Sequence, residues 1–422
     1  MTAPAMDSVT AKPRRTFWRN LLIFLAILGP GIITGSVDND AGGITTYSVA
    51  GASYGYQLLW TLIPGFIVLF VVMEMNARMG VVTGKGLADL IRENAGVKIT
   101  FFIFVCLLFA NICNTTTEFA GVAGSLQIIG VSKYLSVPLV AIAIWFFAVK
   151  GTYRLVERIF LVFSFCLLSY IVSALLGNPN WVEIGEAMVA PRVQFDFAYI
   201  SIVIGLIGTT ICPWMQFYMQ SSVIEKGLKV GDYKFVRLDV LFGSIATVVV
   251  AFFIVVACAA TLHVHGVVIN EAKDAAMALE PLAGALASQI FAFALFVASV
   301  FSAIVLPVAT AFYVCEAFGY EAGLDKKWSE APQFYWLYTI IIGIGVIIVL
   351  IPNAPLIAIT IWTQIINGIL LPVILVAMML LINNKAIMGK YTNNTFQNIV
   401  GWGTAALLTG LSLFLLSLSF VK

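Results

Sequence analysis

The run GPGIITGSVDNDAGG, Gly29 to Gly43, sets Asp38 and Asp40 among glycines inside a segment otherwise apolar enough to cross a membrane. A carboxylate at membrane depth is costly. Irregular backbone there persists only where it is buried in protein or lines a water-filled cavity. The stretch therefore reads as a broken membrane helix carrying an ion or substrate site.

The rest of the chain agrees. Hydrophobic residues make up 61% of the 422 and charged residues 10%, with a mean hydropathy of +1.01, far outside the range of soluble globular domains. The net charge is +2 and the aromatics sit in apolar runs rather than basic clusters, so nothing points to nucleic acid. Cys106, Cys113, Cys166, Cys212, Cys258 and Cys315 lie in apolar segments without CxxC spacing, which argues against a disulfide framework or structural zinc. Lys12, Arg14, Arg15 and Arg19 precede a hydrophobic stretch longer than a signal h-region and without a cleavage site. They read as a cytoplasmic anchor.

With about 20 apolar residues per span, eleven helices fit, centred near Leu28 to Ser48, Val68, Leu108 to Gly121, Ile142, Leu167, Gly208, Val250, Val300, Ile344, Gly368 and Leu408. With the N-terminus inside, the four basic residues of the tail join fifteen others on the cytoplasmic face, among them Lys85, Arg92, Arg154, Lys226 and Lys326. Lys133, Arg192, Lys273 and Lys422 remain outside. The positive-inside rule thus supports a multi-pass protein of the cell membrane with a cytoplasmic N-terminus and an extracellular C-terminus. The expected organisation is a tail over 1–16, a core over 17–390 and a further helix over 391–422. Two spans are interrupted in mid-course, the first at Gly29 to Gly31 and Gly35 to Gly43, the sixth at Gly205, Gly208 and Pro213. They lie five spans apart, as a five-plus-five inverted repeat requires, although no repeat shows in residue identity.

Several ordered motifs resemble the Nramp family of divalent-metal transporters: VVTGK at Val81 to Lys85 with Arg78 before it and Arg92-Glu93 after it, TEFAGVAG from Thr117, GTYRLVE at Gly151 to Glu157, and Gln364 eight residues before Pro372. The resemblance implies an all-α integral membrane protein of LeuT-type fold, two inverted five-helix repeats plus an eleventh helix. Aligned through Gly51 to Trp60, Asp40 takes the place of the aspartate in the family's Asp-Pro-Gly-Asn motif, here Asp40-Ala41-Gly42-Gly43. In the sixth span the family's Ala-x-x-Met-Pro-His becomes Thr209-Thr210-Ile211-Cys212-Pro213-Trp214. Thr115 stands where the family usually has an aspartate three residues before Glu118.

These departures fall on the chemistry. A typical family site strips a transition metal of most of its water and offers it a carboxylate, an amide oxygen, a carbonyl and a soft thioether. Gly43 and Cys212 remove two of those groups and leave room for water. Mg²⁺ takes oxygen ligands and dehydrates reluctantly. The resemblance, with these departures, implies a wider site for partly hydrated Mg²⁺, with Mn²⁺ also accepted. Asp40 anchors it, Asp38 or Asn39 acts through water, and Thr209, Gln364 and Asn367 offer further oxygens. Glu118, Thr115, Trp214 and Thr210 lie around it or along the path. A counter-reading makes Cys212 a thiolate ligand that keeps selectivity for Mn²⁺, Fe²⁺ or Cd²⁺.

Trp214 and Thr115 cannot carry protons, and the two histidines, His263 and His265, fall in the outer loop after span seven. Uptake is expected to be uncoupled and to proceed by alternating access. The alternatives are a proton-coupled Mn²⁺/Fe²⁺ importer and a Na⁺-coupled amino-acid symporter of the same fold. Duller roles stand beside several residues: helix-to-helix bonds for Glu74, Glu118, Gln364 and Asn367, back-bonding for Thr209 and Thr210, and an i,i+3 ion pair for Arg154 and Glu157. No enzyme motif appears, no cofactor is implied, and the expected partners are a divalent cation and the lipid bilayer, with no obligate protein partner.

Overall fold

The computed structural model describes residues 31, 34–35, 38–150, 169–279, 287–323 and 326–420. The basic tail, the start of the glycine run at Gly29, the Gly151 to Glu157 motif with its Arg154–Glu157 pair, Cys166 and Lys422 lie outside them.

Among the described residues the regular structure is entirely helical. Residues 31, 34, 35 and 38 are helical, and α1 (Ala41–Tyr54) resumes the first span after a bend at Asn39 and Asp40. There follow α2 (Leu62–Thr83), α3 (Leu87–Ile128), α4 (Lys133–Lys150), α5 (Ser169–Leu176) and the short α6 (Trp181–Val189). The sixth span is α7 (Phe197–Thr210) and α8 (Pro213–Glu225), and α9 (Tyr233–Cys258) runs into a π-helical turn at Ala259–His263. Last come α10 (Ala287–Phe318), α11 (Pro332–Leu350), α12 (Leu356–Ile382) and α13 (Thr395–Phe420). Eight of the described helices are long and apolar enough to cross a membrane, and Lys133–Phe147 is a shorter apolar one. With the partly described first and fifth spans, they occupy the eleven expected positions.

Local chemistry sets the ends. Gly84, at φ 64° and ψ 18°, closes α2 in the left-handed conformation that lacks a steric penalty only for glycine. Gly96, at φ 77°, bends α3, so its first two turns leave the line of the membrane-crossing part. Lys133 donates to the carbonyls of Val349 and Ile351 at 2.9 and 2.8 Å, where its charge meets the negative end of α11.

Helix α1 packs against α3, α7, α9 and α12, which places the bend at the centre of the molecule. Small residues allow the close approach that apolar helices need in a membrane. A Cβ on Gly35 would lie 2.7 Å from the Gly243 carbonyl of α9, and Thr247 donates to the Gly35 carbonyl at 2.9 Å. Between α7 and α12, a Cβ on Gly208 would fall on the Gln364 carbonyl and the Gly368 backbone, and one on Gly368 would come within 2.5 Å of the Ile204 carbonyl.

Gly368→Ala should therefore cost about 1–3 kcal/mol, the usual penalty of overpacking, and lower the denaturation midpoint in detergent. Gly403→Ala on α13, whose Cβ would meet open space, should hold that midpoint or raise it, adding up to about 1 kcal/mol of stability through helix propensity. Equal midpoints for the two variants would show that the α7–α12 seam has slack.

Candidate cation site between two broken helices

At φ −76° and ψ −172°, Asp40 leaves helical geometry and caps α1, its Oδ1 accepting from the Gly43 N–H at 2.7 Å. Glu118 of α3 reaches the same helix end: the Ala41 N–H donates to its Oε2 at 3.3 Å, and its carboxyl lies close enough to Asp40 for the two to interact. Two carboxylates thus take up the free N–H groups and the positive pole of α1. The turn itself demands glycine at position 43, because a Cβ there would lie 2.7 Å from the Asp38 carbonyl oxygen.

Asp38 is in a different situation. It is 1% exposed, and among the described residues neither carboxylate oxygen has a hydrogen-bond partner. The group lies near enough to Cys212 and Tyr47 to act on them electrostatically. Asn39 is also buried, with Nδ2 at 3.5 Å from the Gly35 carbonyl and Oδ1 unpartnered. No lysine or arginine ion-pairs with Asp38, Asp40 or Glu118 among the described residues.

The sixth span opens at Ile211 (φ −132°, ψ 62°) and Cys212 (φ −61°, ψ 140°), and Pro213, which has no N–H, starts α8. The Cys212 thiol donates to the Gly208 and Thr209 carbonyls at 3.1 and 3.3 Å. The Thr210 hydroxyl donates to the Leu206 carbonyl at 2.7 Å and shares a 2.8 Å bond with the Tyr47 hydroxyl, which ties the two broken spans together. Helix α12 closes the site: Gln364 Nε2 lies against Gly42, and its Oε1 accepts from Asn367 Nδ2 at 3.0 Å. Asn367 also pairs reciprocally with Asn114 of α3, at 2.8 and 3.2 Å, and its Nδ2 stands 3.9 Å from Cys212 Sγ.

The structure thus gathers Asp38, Asn39, Asp40, Gly43, Glu118, Thr210, Cys212, Gln364 and Asn367 around the two breaks, with Thr209 contributing its carbonyl. Thr115 turns back on its own helix and donates to the Asn111 carbonyl at 2.8 Å. Trp214 is buried and packs on Tyr218 along α8. Glu74 holds helices together: Arg78 sits at 3.2 Å, Tyr233 donates to it, and Gln397 of α13 donates at 2.8 Å. His263 and His265 are exposed, each ring bonded to a backbone carbonyl. Among the described residues, no three His, Cys, Asp or Glu side chains converge as a metal-binding cluster.

Sequence reasoning passed over Asn111, Asn114 and Asp239, although each is a polar residue within a long apolar span. Asp239 of α9 is fully buried and accepts from the Gly31 N–H at 2.6 Å, fastening the first part of the first span to α9.

The family model Nramp, described as natural resistance-associated macrophage protein-like, matches residues 31–418. Among solved structures, the fold is similar to that of an Eremococcus coleocola manganese transporter in complex with an aromatic bis-isothiourea substituted compound. The TM-score is 0.76 at 20% identity, covering 96% of this chain and 88% of that one. Two point mutants of the same transporter match with a TM-score of 0.75 at 19% identity and the same coverage. At this identity the likeness establishes the fold, the all-α LeuT-type membrane architecture that the family resemblance implies.

Proposed function

We propose that this chain, which belongs to the Nramp family, is a non-enzymatic carrier that moves partly hydrated Mg²⁺, and also Mn²⁺, across the cell membrane by alternating access around the two broken helices. The observation that carries the reading is Asp38: a buried carboxylate with both oxygens unpartnered, beside Asp40 and Glu118, with no cationic side chain paired to any of them among the described residues. Buried charge of this kind requires compensation. A divalent cation that keeps several waters can supply it, because its waters donate to oxygens the protein leaves without donors. Asp40, Asp38 and Asn39, the Thr209 carbonyl, and the remaining lone pairs of Gln364 and Asn367 form an oxygen donor set. The room for water expected at Gly43 is not found there, because the Asp38 carbonyl oxygen stands 2.7 Å from where a Cβ would begin.

Cys212 supports the hydrated reading over the soft-ligand one. Its S–H is directed at two carbonyl oxygens, an arrangement that favours the neutral thiol. The symporter reading loses its physical basis at α1, whose first N–H groups, the ones that would grip a substrate carboxylate, are already held by Asp40 and Glu118. A conventional Mn²⁺ importer remains the second reading, favoured by the likeness to a manganese transporter. Inward movement of a divalent ion needs no proton: the membrane potential supplies roughly 4.6 kcal/mol per 100 mV.

In proteoliposomes, Asp40→Ala should abolish saturable Mg²⁺ and Mn²⁺ uptake, and Asp38→Asn should raise KM by at least the 10- to 100-fold that supporting groups of a metal site are worth. Parent-like uptake in both variants would remove the site from the transport path. Cys212→Ser should transport Mg²⁺ like the parent, whereas loss of flux would restore the thiolate account. An internal pH dye should register no acidification on Mg²⁺ addition, and a drop in internal pH that tracks flux would contradict uncoupled transport.

A further inference from the structure

Beyond the groups that face the ion, we propose that Thr310, Asn111 and Asn114 are positioning residues that fix which atoms Asn367 and Gln364 turn toward it. The inference rests on the cation-site reading above and concerns a chain of hydrogen bonds whose direction is set at its far end.

Thr310 of α10 is fully buried, and its hydroxyl donates to the Leu306 carbonyl at 2.7 Å. A hydroxyl has one hydrogen, so Thr310 Oγ1 can only accept from its other neighbours. It accepts from the Tyr313 hydroxyl at 3.1 Å and from Asn111 Nδ2 at 2.9 Å, which fills both lone pairs. The Asn111 amide must then present nitrogen to Thr310 and oxygen to Asn114, whose Nδ2 donates to it at 3.4 Å. The second hydrogen of Asn114 Nδ2 goes to Asn367 Oδ1, and Asn114 Oδ1 accepts from Asn367 Nδ2. The other hydrogen of Asn367 Nδ2 goes to Gln364 Oε1. Each amide has only one orientation that leaves no pair of like groups facing, so the threonine decides the polarity of four amides on two helices. Gln364 Nε2 is thereby turned toward Gly42, and one lone pair each on Gln364 Oε1 and Asn367 Oδ1 stays uncommitted.

Without this anchor an amide can rotate by half a turn at little cost in shape, since its oxygen and nitrogen are nearly the same size. The anchored chain makes the donor set one fixed array. Selectivity between ions that differ in size and hydration depends on such an array being held in place.

The test is uptake kinetics of Mg²⁺ and Mn²⁺ in proteoliposomes, paired with Mg²⁺-dependent thermal shift in detergent. Thr310→Val keeps the shape and removes the acceptor. It should raise the Mg²⁺ KM about tenfold, the lower end of what partners of metal ligands contribute. Its maximal rate should stay within about twofold of the parent's, and its thermal shift should move to correspondingly higher Mg²⁺. Thr310→Ser should restore the parent KM, and Tyr313→Phe, which leaves the chain's direction intact, should match the parent. Should Thr310→Val not fold, Thr310→Ala carries the same comparison. An unchanged KM in the hydroxyl-less variant, or a Thr310→Ser protein as impaired as it, overturns the proposal. A parent protein that takes up neither ion overturns the carrier reading instead, so the two failures are distinguishable.

Discussion

Three carboxylates lie close together in the middle of a membrane-spanning bundle with no cationic side chain paired to them among the described residues, and most of the local structure answers that constraint. Burying one ionised carboxylate without compensation is expensive enough that proteins pair it, cap it or neutralise it. Two of the three are met by a helix end: Asp40 and Glu118 receive the N–H groups of Gly43 and Ala41 at the positive pole of α1. The helix can form that end only because the first span breaks there, and the break follows from the bend at Asn39 and Asp40 and a glycine at position 43 that avoids the Asp38 carbonyl. Asp38 is left over, buried and without a donor among the described residues, so the demand for positive charge converges on one place.

The bend is also where two systems of packing meet. Before it, the first span is fastened to α9, through the Asp239 bond to Gly31, the Thr247 bond to Gly35 and the seam at Gly243. After it, α1 is joined to α7 by the Tyr47 and Thr210 hydroxyls and to α12 through the contact of Gly42 with Gln364. Helix α9 runs along both halves of the span, where a Cβ on Gly51 would meet the Val255 carbonyl, while the contacts with α7 and α12 belong to the half after the bend.

Much of this was legible in the chain. Apolar runs gave the span positions, and the glycines, Pro213 and the aspartates marked both interruptions, because hydropathy and backbone breakers are local properties. Motif order marks Asp40, Cys212 and Gln364, which the structure places beside the two breaks. What the sequence could not display were partners. Asn367 reads alone as an amide that offers oxygen to an ion, and only the fold shows Asn114, far away in the chain, already holding both ends of it. Glu74 reads in the sequence as a residue for helix-to-helix bonds, and the fold supplies the partners by setting Arg78, Tyr233 and Gln397 around it. The bend at Gly96 and the short helix α6 escaped for another reason: a single positive φ and a nine-residue amphipathic helix leave little trace in a hydropathy profile.

The sulfur is where composition and geometry together bear on selectivity. A thioether has no hydrogen and can turn its lone pairs to a soft ion at no cost to its surroundings. The Cys212 thiol has one, and it is committed to the two carbonyls that the broken sixth span sets free. Recruiting that sulfur as a thiolate would set a negative charge against two carbonyl oxygens and beside Asp38, opposed by the long contact of the Asn367 amide nitrogen at 3.9 Å. On the proposed reading the donors that remain are oxygens, and an oxygen set does not exclude hard ions by chemistry. It can sort them only by size and by how much water they retain. Sorting, on that proposed reading, passes from the identity of one ligand to the rigidity of the array, which the bonds from Thr310 through Asn111 and Asn114 to Asn367 and Gln364 hold.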